Sequence, residues 1–162
     1  MKGFSVLEVL IYTAILALIS ALSVGSILSV YKGFSSTTAM SRISRNGELI
    51  LDRIVRDIRS ASSTDTGISV FGIHPGVLQL GSMPIKYSLL STTLLRKEGA
   101  GAEQNITLSN ARIINLIFFR DSFLSSEVST EVIKVEFDIE TGEGQFLKSK
   151  KFFGSAVLRG AY

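Results

Sequence analysis

From Val9 to Tyr31 the chain carries neither a charge nor a proline, and a single carboxylate, Glu8, stands at the start of this run. No other feature limits the possible folds as much. Phe4 to Tyr31 is 28 residues, about 42 Å of helix at 1.5 Å per residue, whereas a bilayer's hydrocarbon core is about 30 Å thick. A helix that is apolar all round has to be buried or to lie in lipid. The spacing therefore predicts a transmembrane helix over 4–31. An acid within such a segment costs about 2.5–3.5 kcal/mol on insertion scales, so Glu8 calls for a partner. A positive N-terminus on a neighbouring helix would lie at the right depth if the chain were cut after Gly3.

The stretch Lys2-Gly3-Phe4-Ser5-Val6-Leu7-Glu8-Val9-Leu10-Ile11 resembles the N-terminal signature of type IV pilins and type II secretion pseudopilins. The resemblance implies a leader of residues 1–3, with cleavage between Gly3 and Phe4 by a prepilin peptidase. Phe4 would become the N-methylated first residue, and Glu8 would pair with a neighbouring subunit's α-amino group during filament assembly. It also implies a set of partners. These are the prepilin peptidase, other pilins or pseudopilins met through the N-terminal helix, an inner-membrane assembly platform, and lipid before assembly. Two other readings of the segment exist. An ordinary secretory signal has an apolar core of 7–15 residues, whereas this run continues past the small residues Ala21-Leu22-Ser23 and has Glu8 at its start. A generic single-span anchor would let Glu8 snorkel to the interface. Neither accounts for Gly, Phe and Glu in that order.

Ala17, Ala21, Gly25 and Ser29 recur every four residues. Small residues at this spacing let a second helix approach closely in lipid, where no hydrophobic force drives association. Members of the resembled family that build filament shafts often have a proline near Gly25 and a C-terminal disulfide. This chain has neither that proline nor any cysteine. Lys2 favours a cytoplasmic start, although Lys32 flanks the other end. The expected location is the cytoplasmic (inner) membrane, crossed once, with the globular part on the extracytoplasmic side.

Residues 32–62 read as an amphipathic extension of the helix, with a Ser/Thr-rich patch at Gly33–Thr38 where it could bend. Met40, Ile43, Gly47, Ile50, Leu51, Ile54, Val55, Ile58 and Ala61 fall within an arc of about 140° at 100° per residue. Charges fill the rest of the circumference, and Asp52–Arg56 and Arg53–Asp57 are spaced as i,i+4 pairs. Acids interleave with the arginines, no aromatic residues accompany them, and the net charge is only +3. This pattern describes a solvated face, and no nucleic-acid partner is expected.

After Ser60 the period shortens. Ala61–Gly67 reads as a loop, followed by strands at Ile68–Ile73, Val77–Leu80, Ile85–Leu90, Thr93–Arg96, Asn105–Leu108, Ile113–Arg120, Glu131–Glu140 and Gln145–Phe153. A three-residue loop at Gly142-Glu143-Gly144 would set Asp138 opposite Lys148 and Glu136 opposite Lys150. The predicted fold is α+β, a long N-terminal helix covering an antiparallel sheet, with residues 63–162 as the β-rich domain. Tyr87-Ser88-Leu89, Leu94-Leu95-Arg96, Ile114-Asn115-Leu116-Ile117-Phe118-Phe119 and the helical segment Glu48–Arg59 resemble minor pseudopilins of the J type. That resemblance implies a subunit near the filament tip, and retention of Glu8 implies a place beneath another subunit.

Little in the chain suggests catalysis. His74, the only histidine, sits beside Pro75 in a turn signal and reads as a loop residue with no chemical role. Gly99-Ala100-Gly101 lacks the third glycine of a dinucleotide fingerprint. Asp138, Glu140 and Glu143 could suggest calcium, which some pseudopilins bind, but their spacing is not that of an EF-hand. The expectation is a non-enzymatic filament subunit without cofactor or metal. Its rivals are a type IV pilin for adhesion, motility or DNA uptake, and a single-span membrane protein presenting a β-rich binding module.

Overall fold

The computed structural model describes residues 5–81, 84–108, 111–124, 129–142 and 147–158. It is an α+β fold. Among the described residues one helix, α1 (Val6–Ser60), precedes seven strands: β1 (Leu78–Leu80), β2 (Ile85–Leu90), β3 (Thr93–Glu98), β4 (Gln104–Asn105), β5 (Ala111–Leu124), β6 (Ser129–Thr141) and β7 (Lys148–Val157). The strands form two antiparallel sheets, β1-β2-β3-β4 and β5-β6-β7. The chain divides into two compact units at Thr38/Ala39.

In the first unit α1 has exposed apolar side chains on every side, among them Val6, Leu10, Leu16, Leu22, Ile27 and Tyr31. Its most apolar 18-residue window has a mean hydropathy of 2.2, and none of that window is buried in the chain. The segment has the length and apolarity of a membrane span, and equally of a signal sequence. Gly33–Thr38, where the helix could bend, does not interrupt it. These residues are helical throughout, and the Thr37 hydroxyl donates to the Gly33 carbonyl at 3.0 Å.

In the second unit the helical period selects the buried face. Ile43, Gly47, Ile50, Ile54, Ile58 and Ala61 are buried and Leu51 and Val55 pack partly against them, whereas Met40 is exposed. Both sheets contribute to the same core: Leu78, Leu80, Ile85, Tyr87 and Leu94 from the first, and Leu116, Phe118, Val135, Phe137 and Phe152 from the second. Two glycines bring α1 close to β7. A Cβ on Gly47 would lie 2.1 Å from the Phe152 ring, and one on Gly154 would lie 2.8 Å from Leu51. Phe152 in turn stacks on Phe137, with ring centroids 5.4 Å apart.

That packing overturns the expected β6–β7 register. Asp138 faces Lys151 and Glu136 faces Phe153, because Thr141 pairs with Lys148. The three-residue loop would have changed the parity of β7 and sent Phe152 to the outer face; a one-residue slip exchanges the faces of a whole strand. Burial of Phe152 decides the register, and Phe153 is left outside at 77 % exposure. Charge matching on the outer face survives through Lys151, which forms an ion pair with Glu136.

Ile68–Ile73 is not a strand. Asp65 organises a turn by accepting from Gly67 N (2.9 Å) and Ser69 N (3.0 Å), and only an isolated Val70–Val77 bridge forms. Residues 72–76 instead line the edge of β5. Gly72 N donates to Phe118 O and Gly76 N to Leu116 O, both at 2.8 Å, while Leu116 N donates to His74 Nδ1 at 3.0 Å. His74 therefore has a structural role that the sequence reading did not give it. It accepts a backbone hydrogen bond and helps to cover a sheet edge that would otherwise be open to pairing. A Cβ on Gly76 would lie 3.0–3.1 Å from Phe118 and the Leu116 carbonyl, so this close approach favours glycine. Asn105–Leu108 is strand only at its first residue. Thr107 is buried, and its hydroxyl accepts from Leu94 N at 2.9 Å.

Candidate functional site

Gly3 and Phe4, the expected cleavage and methylation residues, lie outside the described residues, as do Glu143 and Gly144. The first described turn belongs to Glu8. Glu8 N and Val9 N donate to Ser5 O at 2.9 and 3.2 Å, so helical bonding begins at Ser5 and the acid occupies the first turn. Negative charge there is favoured by the exposed N–H groups of the helix end. Its side chain leans toward the next turn, where Tyr12 OH donates to Glu8 Oε1 at 3.3 Å. Among the described residues Glu8 has no cationic partner. In lipid this leaves a carboxylate with one neutral donor and capacity for a positive one.

Three hydroxyls further along have acceptors within the helix. Those of Thr13, Ser23 and Ser26 donate to the carbonyls of Leu10, Ile19 and Leu22 at 2.8–3.0 Å, as polar groups in an apolar medium must. Ala17, Ala21, Gly25 and Ser29 are exposed on α1. Successive members are rotated by about 40°, so they form a slowly winding stripe. Around Gly25 no atom lies within 4 Å of where a Cβ would stand.

A second polar centre lies in the globular unit, and sequence reasoning missed it. The β2–β3 hairpin sets Tyr87 opposite Arg96, and both turn toward α1. Tyr87 OH donates to Asp57 Oδ2 at 2.5 Å, Arg96 Nε donates to the same oxygen at 2.7 Å, and Arg96 Nη1 donates to Glu98 Oε2 at 2.7 Å. Tyr87 and Arg96 are buried, so their bonds to Asp57 form largely away from water, whereas Glu98 reaches Arg96 from the solvent side. Burial, and then the Asp57 carboxylate, push the Tyr87 phenol far above its ordinary range. For Arg96 burial alone would lower the value, but the hydrogen bonds it donates to Asp57 and Glu98 more than reverse it. The phenol stays neutral and the guanidinium charged, so the cluster works as a clamp between α1 and the first sheet. The expected Arg53–Asp57 pair does not form because Asp57 is engaged here, whereas Asp52–Arg56 does form on the exposed side.

A third group ties the 61–67 loop to the second sheet. Glu131 accepts from Thr64 Oγ1 at 2.9 Å and pairs with Arg120. The Arg120 hydrogen bond holds the Glu131 carboxyl below the ordinary glutamate value of 4.5. Among the described residues no three acidic or histidine side chains converge as a metal site would require. No protein-family model, curated protein or solved structure matches this chain.

Proposed function

We propose that the chain is a minor pseudopilin or pilin-like subunit, processed at Gly3–Phe4 and assembled through its N-terminal helix into a type II secretion-type or type IV pilus-type filament, at or near the tip. The observation that carries this reading is the order Gly3-Phe4-…-Glu8 at the head of a helix of membrane length. A helix that continues into an amphipathic half covering antiparallel sheets agrees with it. Before assembly the subunit is held in the cytoplasmic membrane with its globular unit on the extracytoplasmic side. On assembly, contacts between helices replace contacts with lipid. The ammonium of Phe4 on one subunit meets Glu8 of a neighbour and fixes axial register, since a charge in apolar surroundings is tolerable only when paired. The small residues Ala17, Ala21, Gly25 and Ser29 let the helices approach. The role is structural, with no enzymatic step.

Two variants test the assembly role. Glu8→Ala is expected to insert and be processed normally, yet to be lost from sheared filaments or from cross-linked complexes with other subunits. Gly3 replaced by a bulky residue is expected to leave the leader attached. Normal incorporation of Glu8→Ala would contradict the register role.

A further inference from the structure

The strap 72–76 that covers the edge of β5 is held by bonds of two kinds. Gly72 N donates to Phe118 O and Gly76 N to Leu116 O, both at 2.8 Å, and these backbone groups do not titrate. Between them Leu116 N donates to Nδ1 of His74 at 3.0 Å. A ring nitrogen accepts only while it lacks a proton, and an imidazole takes one up near pH 6.5. His74 is exposed, as are Ile73 and Pro75 beside it, so water reaches the ring, whereas Gly76 is buried against the sheet. The surroundings of the ring carry little charge. The strap has no charged residue, nor does β5 from Asn115 to Phe118, nor does the β2–β3 turn at Leu90–Thr93, which meets the same edge through Ile113 N and Thr92 O. On β6 the charged groups in register are Asp138, opposite Asn115, and Glu136, opposite Ile117. Asp138 accepts from Asn115, and Glu136 pairs with Lys151 of β7. A proton on Nδ1 therefore meets no cation in register on the strap, β5 or β6, but it opposes the Leu116 N–H, donor against donor.

We infer that His74 is a proton-operated latch: while its imidazole is neutral the strap closes the β5 edge, and once it is charged the strap loosens and bares the backbone groups of Leu116 and Phe118. The closed strap excludes a proton that the open one takes up. Opening is therefore favoured by about tenfold per pH unit below the titration of the free imidazole. The latch bond is complete above that range and is lost as pH falls through it. Bared N–H and C=O groups on a strand edge are a template for pairing with another strand, so acid turns a covered edge into an open one. The inference rests on the globular unit alone and stands or falls independently of the filament reading.

The test is amide hydrogen exchange, followed by NMR on the isotope-labelled full chain in detergent micelles between about pH 7.5 and about pH 5, above the range in which Glu131 loses its contribution. After correction for the intrinsic pH dependence of exchange, protection of the Leu116, Gly72 and Gly76 amides is expected to fall by about tenfold or more. The amides of Val135 and Phe137, on the central strand β6, are expected to keep theirs. His74→Asn places an amide oxygen where Nδ1 accepts and does not titrate, so its protection is expected to stay flat with pH. His74→Ala is expected to show at pH 7.5 the weak protection that the unaltered chain reaches only in acid. Flat protection in the unaltered chain would overturn the inference. So would an equal fall in His74→Asn, full protection in His74→Ala, a loss confined to Leu116, or a fall shared by Val135 and Phe137.

Discussion

Two acids on the same helix, Glu8 and Asp57, lie in opposite settings. Glu8 has one neutral donor, Tyr12, and no cation among the described residues. Asp57 accepts from a buried tyrosine and a buried arginine on a sheet. Two glycines repeat the contrast: Gly25 has no atom within 4 Å of its Cβ position, while that of Gly47 is occupied by the Phe152 ring. In the second half of α1, Asp57 and Gly47 thus meet partners from their own chain. The first half has apolar side chains on every side and, among the described residues, an acid without a cationic partner, in the manner of a membrane span or a signal sequence. A substitution in the second half should register in the stability of this chain. One in the first half should register only in its associations.

The largest effect is expected at Asp57. Asp57→Ala leaves the buried Tyr87 hydroxyl without its acceptor and Arg96 with Glu98 alone, and should cost about 3 kcal/mol in denaturant unfolding of the full chain in micelles. Glu8→Ala should leave that unfolding unchanged, and a matching loss there would break the contrast between the halves. Next comes Gly47→Ala. Helix propensity alone favours it by about 1 kcal/mol, but the Phe152 ring must move, and overpacking of this kind costs about 1–3 kcal/mol. A net stabilisation would show that the helix–sheet contact yields easily. A smaller effect is confined to acid. Because Glu131 titrates below its ordinary value in the folded chain, its stabilising contribution is complete above about pH 4.5 and is lost as pH falls through the lower folded value. Glu131→Gln should flatten that part of the stability–pH curve and leave its slope at neutral pH unchanged. The smallest effect is expected from Gly25→Ala, which should not shift the unfolding of the globular unit.

Local periodicity made much of the fold legible. The run from Ile43 to Ala61 was readable because 3.6-residue spacing selects one face whatever lies opposite, and β2 and β3 were readable from short apolar runs bounded by turns. Partner choices between distant segments were not. Arg53–Asp57 looked like a helical pair, but the better partner for Asp57 came from Arg96, 39 residues further on. The β6–β7 register was fixed by Phe152 seating against Gly47, more than a hundred residues apart, and not by charge matching in the hairpin. Ile68–Ile73 has a strand's composition, yet Asp65 drew Gly67 and Ser69 into a turn. Asn46 shows the limit most clearly, since nothing in a polar residue on a helix announces that its amide will be buried without a partner. In the candidate assembly site, Glu8 and the small-residue stripe were visible at once, because an acid and a four-residue spacing stand out against an apolar background.

The account depends on a newly made amino terminus at Phe4. Mass spectrometry of the N-terminal peptide, recovered from native membranes of cells with an active prepilin peptidase, measures it directly. The account predicts a peptide that begins at N-methylated Phe4. A peptide that still carries Met1-Lys2-Gly3, or one that begins near Ser23, would contradict it.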